Sequence, residues 1–159
     1  MRVRDIMRKP AANCTPDMNL AAACELLKKY RCGSLPVVGE GGNVIGMITD
    51  RDICVALGTR DEKPSQILVD EVMPARLFTC APEDEVQCAL KTIRRQKIRR
   101  LPVIDGSGVL RGILCMDDIV AAAKPHAGKH EISFDDVVET YQSICERLLP
   151  GLTRRAAAA

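Results

Sequence analysis

Aromatic side chains are almost missing from this chain: among 159 residues there is no tryptophan, and only two phenylalanines and two tyrosines. A core must therefore be built from Leu, Ile, Val and Ala, which the 47% hydrophobic share supplies. Histidine is equally scarce, with His126 and His130 as the whole complement. No Ser-His-Asp set, metal cluster or nucleophile paired with a base can be assembled from two histidines in one short stretch, so an enzyme is the least favoured class. Long apolar runs are absent as well, since no stretch approaches the ~18 residues that cross a bilayer. The opening Met1-Arg2-Val3-Arg4-Asp5 is charged and lacks the apolar run of a signal peptide, so the expectation is a cytoplasmic protein with no membrane association. A net charge of +2 gives no argument for a nucleic-acid partner. None of the eight cysteines forms a C-x-x-C pair. They are expected to be reduced, with Cys24, Cys54, Cys88 and Cys145 set in apolar helical patterns as small hydrophobes.

What is present is a duplication. Met7 returns as Met73, 66 residues on, and the same spacing carries Cys14 to Cys80, Pro16 to Pro82, Leu35-Pro36-Val37-Val38 to Leu101-Pro102-Val103-Ile104, Gly46 to Gly112 and Asp52 to Asp118. Two copies of a unit of this size tend to pack about a pseudo-twofold axis, which directs attention to the clefts between them. Each copy reads alike. A short extended stretch, Ala12 to Thr15 or Leu77 to Cys80, meets a proline suited to the first turn of a helix. That helix carries Leu20, Ala23, Cys24 and Leu27 in one copy and Val86, Ala89, Leu90 and Ile93 in the other. Two strands follow, Leu35 to Val38 and Val44 to Ile48, then Leu101 to Ile104 and Val109 to Leu114, each pair split by a glycine-rich turn. A last helix begins near Asp50 or Asp117. The expected fold is α+β, strand-helix-strand-strand-helix twice over, with residues 1–60 and 66–124 as the repeats.

The runs LPVV…GMITDRDI and RRLPVID…GILCMDDI, opened by VRDIM and VDEVM, resemble a tandem pair of cystathionine β-synthase (CBS) domains over about residues 1 to 124. The resemblance implies a stand-alone regulatory module that binds an adenosine-containing ligand such as AMP, ADP, ATP, NAD or S-adenosylmethionine between repeats and reports it to an effector protein. It also implies a homodimer and no required cofactor. The rival from another class is an interaction or dimerisation module with empty clefts.

Two clusters carry the chemistry. Thr49-Asp50-Arg51-Asp52 places a hydroxyl and a carboxylate three apart where a strand turns into a helix. Asp52 there can accept from ribose hydroxyls and Thr49 can donate to a phosphate, while the same pattern is also a helix capping box. In the second copy Cys115 replaces the threonine, and Asp118 remains. The other cluster is Arg94-Arg95-Gln96-Lys97-Ile98-Arg99-Arg100, five cations in seven residues. Arg94, Arg95 and Lys97 read as a solvated helix end. Carried over from the family, Arg99 and Arg100 would hold phosphates opposite Thr49 and Asp52, with Ile98 and Thr79-Cys80 against the adenine. Asp118 would be matched with the uncharged Gly33-Ser34.

Residues 125–132 read as a linker whose two histidines lack further metal ligands. Ser133-Phe134-Asp135-Asp136 resembles a capping box that opens an amphipathic helix over 133–149, with Val137, Val138, Tyr141, Ile144, Cys145 and Leu148 on one face. That stripe needs a cover. Residues 150–159 are expected to be a disordered tail.

Overall fold

The computed structural model describes residues 1–128 and 130–148. Within them the chain forms five α-helices and two two-stranded antiparallel sheets: α1 (Leu20–Tyr30), β1 (Ser34–Val38), β2 (Val44–Thr49), α2 (Asp50–Thr59), α3 (Val86–Gln96), β3 (Arg100–Ile104), β4 (Leu110–Cys115), α4 (Met116–Ala122) and α5 (Phe134–Leu148). The expected tail at 150–159 lies outside the described residues.

The prolines do not open the helices. Pro16 and Pro82 stand four residues upstream, and α1 is started instead by Asn19, whose side-chain oxygen accepts from the Ala22 N–H at 2.9 Å. The expected strands at 12–15 and 77–80 contract to single parallel bridges, Cys14 to Val37 and Cys80 to Val103. The hairpins form as expected. In the first, Ser34 faces Thr49 and Leu35 faces Ile48, with a bulge between Val37 and Val38.

Two compact units result, and they do not coincide with the sequence repeats. One comprises Met1–Lys9, Cys80–Val103 and Gly112–Ala159; the other comprises Pro10–Thr79 and Ile104–Arg111. The opening segment of each repeat thus belongs to the unit built on the other repeat's helices. In the first unit the Val3 N–H donates to Asp84 O (2.9 Å) and the Arg4 N–H to Pro82 O (3.0 Å); in the second, 66 residues apart in each member, the Val69 N–H donates to Met18 O (2.9 Å) and the Asp70 N–H to Pro16 O (3.1 Å). The exchange requires glycine at two places. A Cβ on Gly46 would stand 2.5 Å from Met73 Sδ, and one on Gly112 would stand 2.7 Å from Arg8 O and 3.0 Å from Met7 Sδ. The two methionines that open the repeats therefore lie against the glycine of the opposite hairpin.

The core of the second unit gathers Leu20, Ala23, Leu27, Leu35, Val37, Ile48, Ile53, Ala56, Ile67 and Val69. In the first unit Val3, Val86, Leu90, Ile93, Leu101, Val103, Leu114 and Ile119 are buried. Cys24, Cys54 and Cys88 correct the sequence reading: they are exposed on the outer helix faces, while Cys14, Cys80 and Cys115 are the buried thiols. The expected linker is also anchored. Ile132 is fully buried, the Lys124 N–H donates to Ile132 O, and the Met1 amino group donates to His130 O.

Candidate functional site

Strand pairing decides which polar groups meet, because the residue entering the first strand of a hairpin and the residue leaving the second lie at the same end. In the second unit that end holds Gly33, Ser34, Thr49, Asp50 and Asp52. Ser34 pairs directly with Thr49, and the Asp50 N–H donates to Gly33 O at 3.2 Å. The capping box is realised in full: Asp52 Oδ2 accepts from the Thr49 N–H (2.9 Å) and the Thr49 hydroxyl (2.6 Å), and Thr49 Oγ1 accepts from the Asp52 N–H (3.2 Å). Among the described residues nothing donates to Asp52 Oδ1. On the strand paired with Thr49, Ser34 is 3% exposed and its hydroxyl has no hydrogen-bond partner. A buried hydroxyl in that state costs on the order of 1 to 3 kcal/mol, which a bound group able to pair with it would recover.

The equivalent end of the first unit is charged. The Met116 N–H donates to Arg99 O at 3.0 Å, so Arg99 and Arg100 adjoin the turn of their own repeat. Arg99, Arg100, Cys115, Met116, Asp117 and Tyr141 line a shallow hollow of about 70 Å³ that is open to solvent, smaller than a typical ligand site and of a size for a single small group. Only the carboxylate half of the capping box forms here, with Asp118 Oδ2 accepting from the Cys115 N–H at 2.9 Å. Asp118 Oδ1 is taken by Arg8 Nε at 2.5 Å, an ion pair whose carboxylate is 9% exposed and whose guanidinium is 58% exposed. The hydrogen bond and charge of Asp118 hold the Arg8 guanidinium above its ordinary pKa. Burial pushes the Cys115 thiol up to about 11, so it is neutral at physiological pH. Burial, helped by Asp84, pushes Cys80 up to about 12. Thr79 and Ile98 are half-buried.

The family carry-over set Arg99 and Arg100 opposite Thr49 and Asp52, and Gly33-Ser34 opposite Asp118. Within each unit, hairpin closure places the arginines by the Cys115 to Asp118 turn and Ser34 opposite Thr49. The reading of Arg94 and Lys97 as solvated is corrected. Arg94 donates to Glu139 Oε2 (2.8 Å) and Thr140 Oγ1 (3.3 Å) and accepts from Ser143 at its carbonyl (3.1 Å), while Lys97 pairs with Glu146 (3.2 Å). Only Arg95 keeps the exposed role. Arg8 and Tyr141 were missed as site residues. Arg8 lies 110 residues from its partner Asp118, and Tyr141 was legible only as one member of an apolar stripe.

The CBS domain family model matches residues 3–59 and 69–124. The chain is 33% identical over 117 residues to the CBS domain-containing protein YhcV of Bacillus subtilis, covering 74% of this chain and 81% of that one. It is 39% identical over 108 residues to inosine-5'-monophosphate dehydrogenase of Mycobacterium bovis, covering 67% of this chain and 19% of the dehydrogenase. The chain thus spans about a fifth of the length of that relative. Among solved structures, the CBS domain pair of protein MJ0100, in complex with 5'-methylthioadenosine and S-adenosyl-L-methionine, superposes with a TM-score of 0.69 at 26% identity, covering 76% of this chain and 94% of that one.

Proposed function

We propose that this chain, which belongs to the CBS domain family, is a regulatory module that senses an adenosine-containing small molecule and passes its occupancy to an effector protein. The observation that carries the reading lies at one end of the first hairpin: an Asp52 carboxylate oxygen with no donor among the described residues, and, on the strand paired with Thr49, a buried Ser34 hydroxyl with no partner. A ribose diol supplies what both lack, donating to the carboxylate and exchanging a hydrogen bond with the hydroxyl. Thr49 adds a helix N-terminus whose free N–H groups favour an oxygen-rich ligand. Among the described residues no guanidinium hydrogen-bonds to Ser34, Thr49 or Asp52, so a phosphate-free adenosyl compound fits this set best, and the ligands of the MJ0100 domain pair support that class. Arg99, Arg100 and Asp118 in the first unit suit a ligand with phosphate, such as AMP, ADP, ATP or NAD. Ile98 and the Thr79-Cys80 stretch are the surfaces proposed for adenine.

Titration calorimetry with 5'-methylthioadenosine, S-adenosylmethionine, AMP, ATP and NAD tests this. Asp52→Ala should weaken the phosphate-free ligands by at least about tenfold, because a hydrogen bond to a charged group contributes roughly 1.5 to 3 kcal/mol. Asp118→Ala should leave those ligands nearly unchanged. The rival, a dimerisation module without a ligand, draws support from the complete capping box at Thr49 and the Arg8 ion pair at Asp118, which employ both aspartates structurally. Silence from every adenosine compound at millimolar concentration would favour it.

A further inference from the structure

The helix α5 lies beyond the residues that the family model matches, yet it changes the charge pattern of the first unit. Its acids select among the five cations of residues 94–100. Glu139 and the Thr140 hydroxyl take Arg94, and Glu146 takes Lys97. Arg99 and Arg100 keep no ion pair among the described residues, although both line the hollow in front of α4. The same helix sends Tyr141 to the wall of that hollow. Arg99, Arg100 and Tyr141 therefore border one small polar space, and each of these three residue types carries a side-chain hydrogen-bond donor. The acidic contribution within it is Asp117, and Asp118 beside it is neutralised by Arg8.

We infer that α5 is a built-in part of an anion site in the first unit, in which Tyr141 completes a phosphate-binding hollow with Arg99 and Arg100 and ties the docking of α5 to occupancy. This deepens the sensor reading and rests on it for the identity of the natural ligand, but the anion chemistry stands on the hollow alone. A phosphate held by strand-entry arginines and by a helix residue bridges two elements, so binding must shift α5 toward its docked state by the differential affinity of the two states. The inward face of α5 has the means to be docked, since Thr140 is fully buried and Ile144 is 3% exposed. Its opposite face leaves Phe134 and Val138 half exposed at 51% and 53%, so part of the helix is held by polar contacts that a neighbouring anion can reinforce.

The test is amide hydrogen exchange of the full chain, free and with inorganic tripolyphosphate, AMP or adenosine, alongside calorimetry of Tyr141→Phe. That variant keeps the ring and its packing and loses only the hydroxyl. Tripolyphosphate and AMP should slow exchange across Val137 to Ile144 while adenosine does not, and Tyr141→Phe should weaken both anions about tenfold, the loss expected for one hydrogen bond to a charged group. Arg95→Gln, which removes an exposed cation of the same cluster, should change affinity by less than about twofold because solvent and salt screen it. If AMP binds and neither α5 exchange nor Tyr141→Phe responds, this inference falls and the sensor reading stands. If tripolyphosphate protects α5 while no adenosine compound binds, the inference stands and the sensor reading falls. Failure of both anions to bind overturns this inference, and the sensor reading is then decided by the phosphate-free adenosyl ligands alone.

Discussion

Gly46 and Gly112 occupy equivalent positions, yet they differ in what a side chain would meet. At Gly46 the obstacle is the end of a flexible methionine side chain, whereas at Gly112 it is the Arg8 backbone carbonyl at 2.7 Å, which cannot swing away. Gly112→Ala should therefore cost about 2 kcal/mol or more, toward the upper part of the overpacking range, and Gly46→Ala distinctly less. Equal midpoints in urea titration of the two variants would contradict that ranking. The buried thiols have a separate signature. Burial raises Cys14 to about 11, Cys80 to about 12 and Cys115 to about 11 from an ordinary 9.0. A thiol held protonated in the fold binds more protons than the unfolded chain does between its two pKa values. Stability should thus be undiminished by these groups below about pH 9 and should fall as the pH climbs from 9 to 11. Ellman's reagent should react in the native state with the exposed Cys24, Cys54 and Cys88, and with Cys14, Cys80 and Cys115 only after unfolding.

At the scale of an element, α5 shows how polar contacts secure a helix that lies beyond the repeats. Its start is a reciprocal cap, with the Ser133 N–H and hydroxyl donating to Asp136 Oδ2 and the Asp136 N–H donating to Ser133 Oγ. Burial raises the Asp136 pKa, but the Ser133 bonds, Gln87 and Arg94 outweigh it and hold the carboxyl below its ordinary 3.8. A depressed folded-state pKa stabilises above the unfolded value, and that contribution is lost as the pH falls through the folded one. Acidification below about pH 3.8 should accordingly loosen α5, read as faster amide exchange in α5 than in α1. Ser133→Ala should cost about 1 kcal/mol, the usual loss of a helix cap. Arg94→Ala should cost more than Arg95→Ala, about 1 to 3 kcal/mol against less than 0.5, because it strands the partners on α5 whereas Arg95 is exposed.

For the whole molecule, binding and assembly are the measurable consequences. A ligand that binds only the folded chain at 100 times its dissociation constant should add about 2.7 kcal/mol of stability, seen as a raised melting temperature. The apolar residues left outward on α5, together with Val120 at 44% exposure on α4, motivate the proposal of a homodimer. Light scattering at micromolar concentration should report about twice the chain mass of 17.4 kDa, and a monomer there would refute a stable dimer.

The duplication, the hairpins and the four repeat helices were legible in the sequence because each rests on short-range information: period-3.6 burial at Val86, Ala89, Leu90 and Ile93, glycine-rich turns, and one spacing repeated from Met7 to Asp118. The cap at Ser133 and the box at Thr49 were legible for the same reason, as both are contacts three residues apart. The local pattern misled where two answers satisfy it equally. Pro16 and Pro82 suit a helix start as well as a turn before one, and Cys24 falls on an apolar spacing while facing outward. Three features were decided by the tertiary structure alone. They are the exchange of opening segments between units, the capture of Asp118 by Arg8, and the sorting of Arg94 and Lys97 from Arg99 and Arg100 by α5. All three join residues tens of positions apart, where pairing depends on which surfaces chain closure brings together, and no periodicity records that.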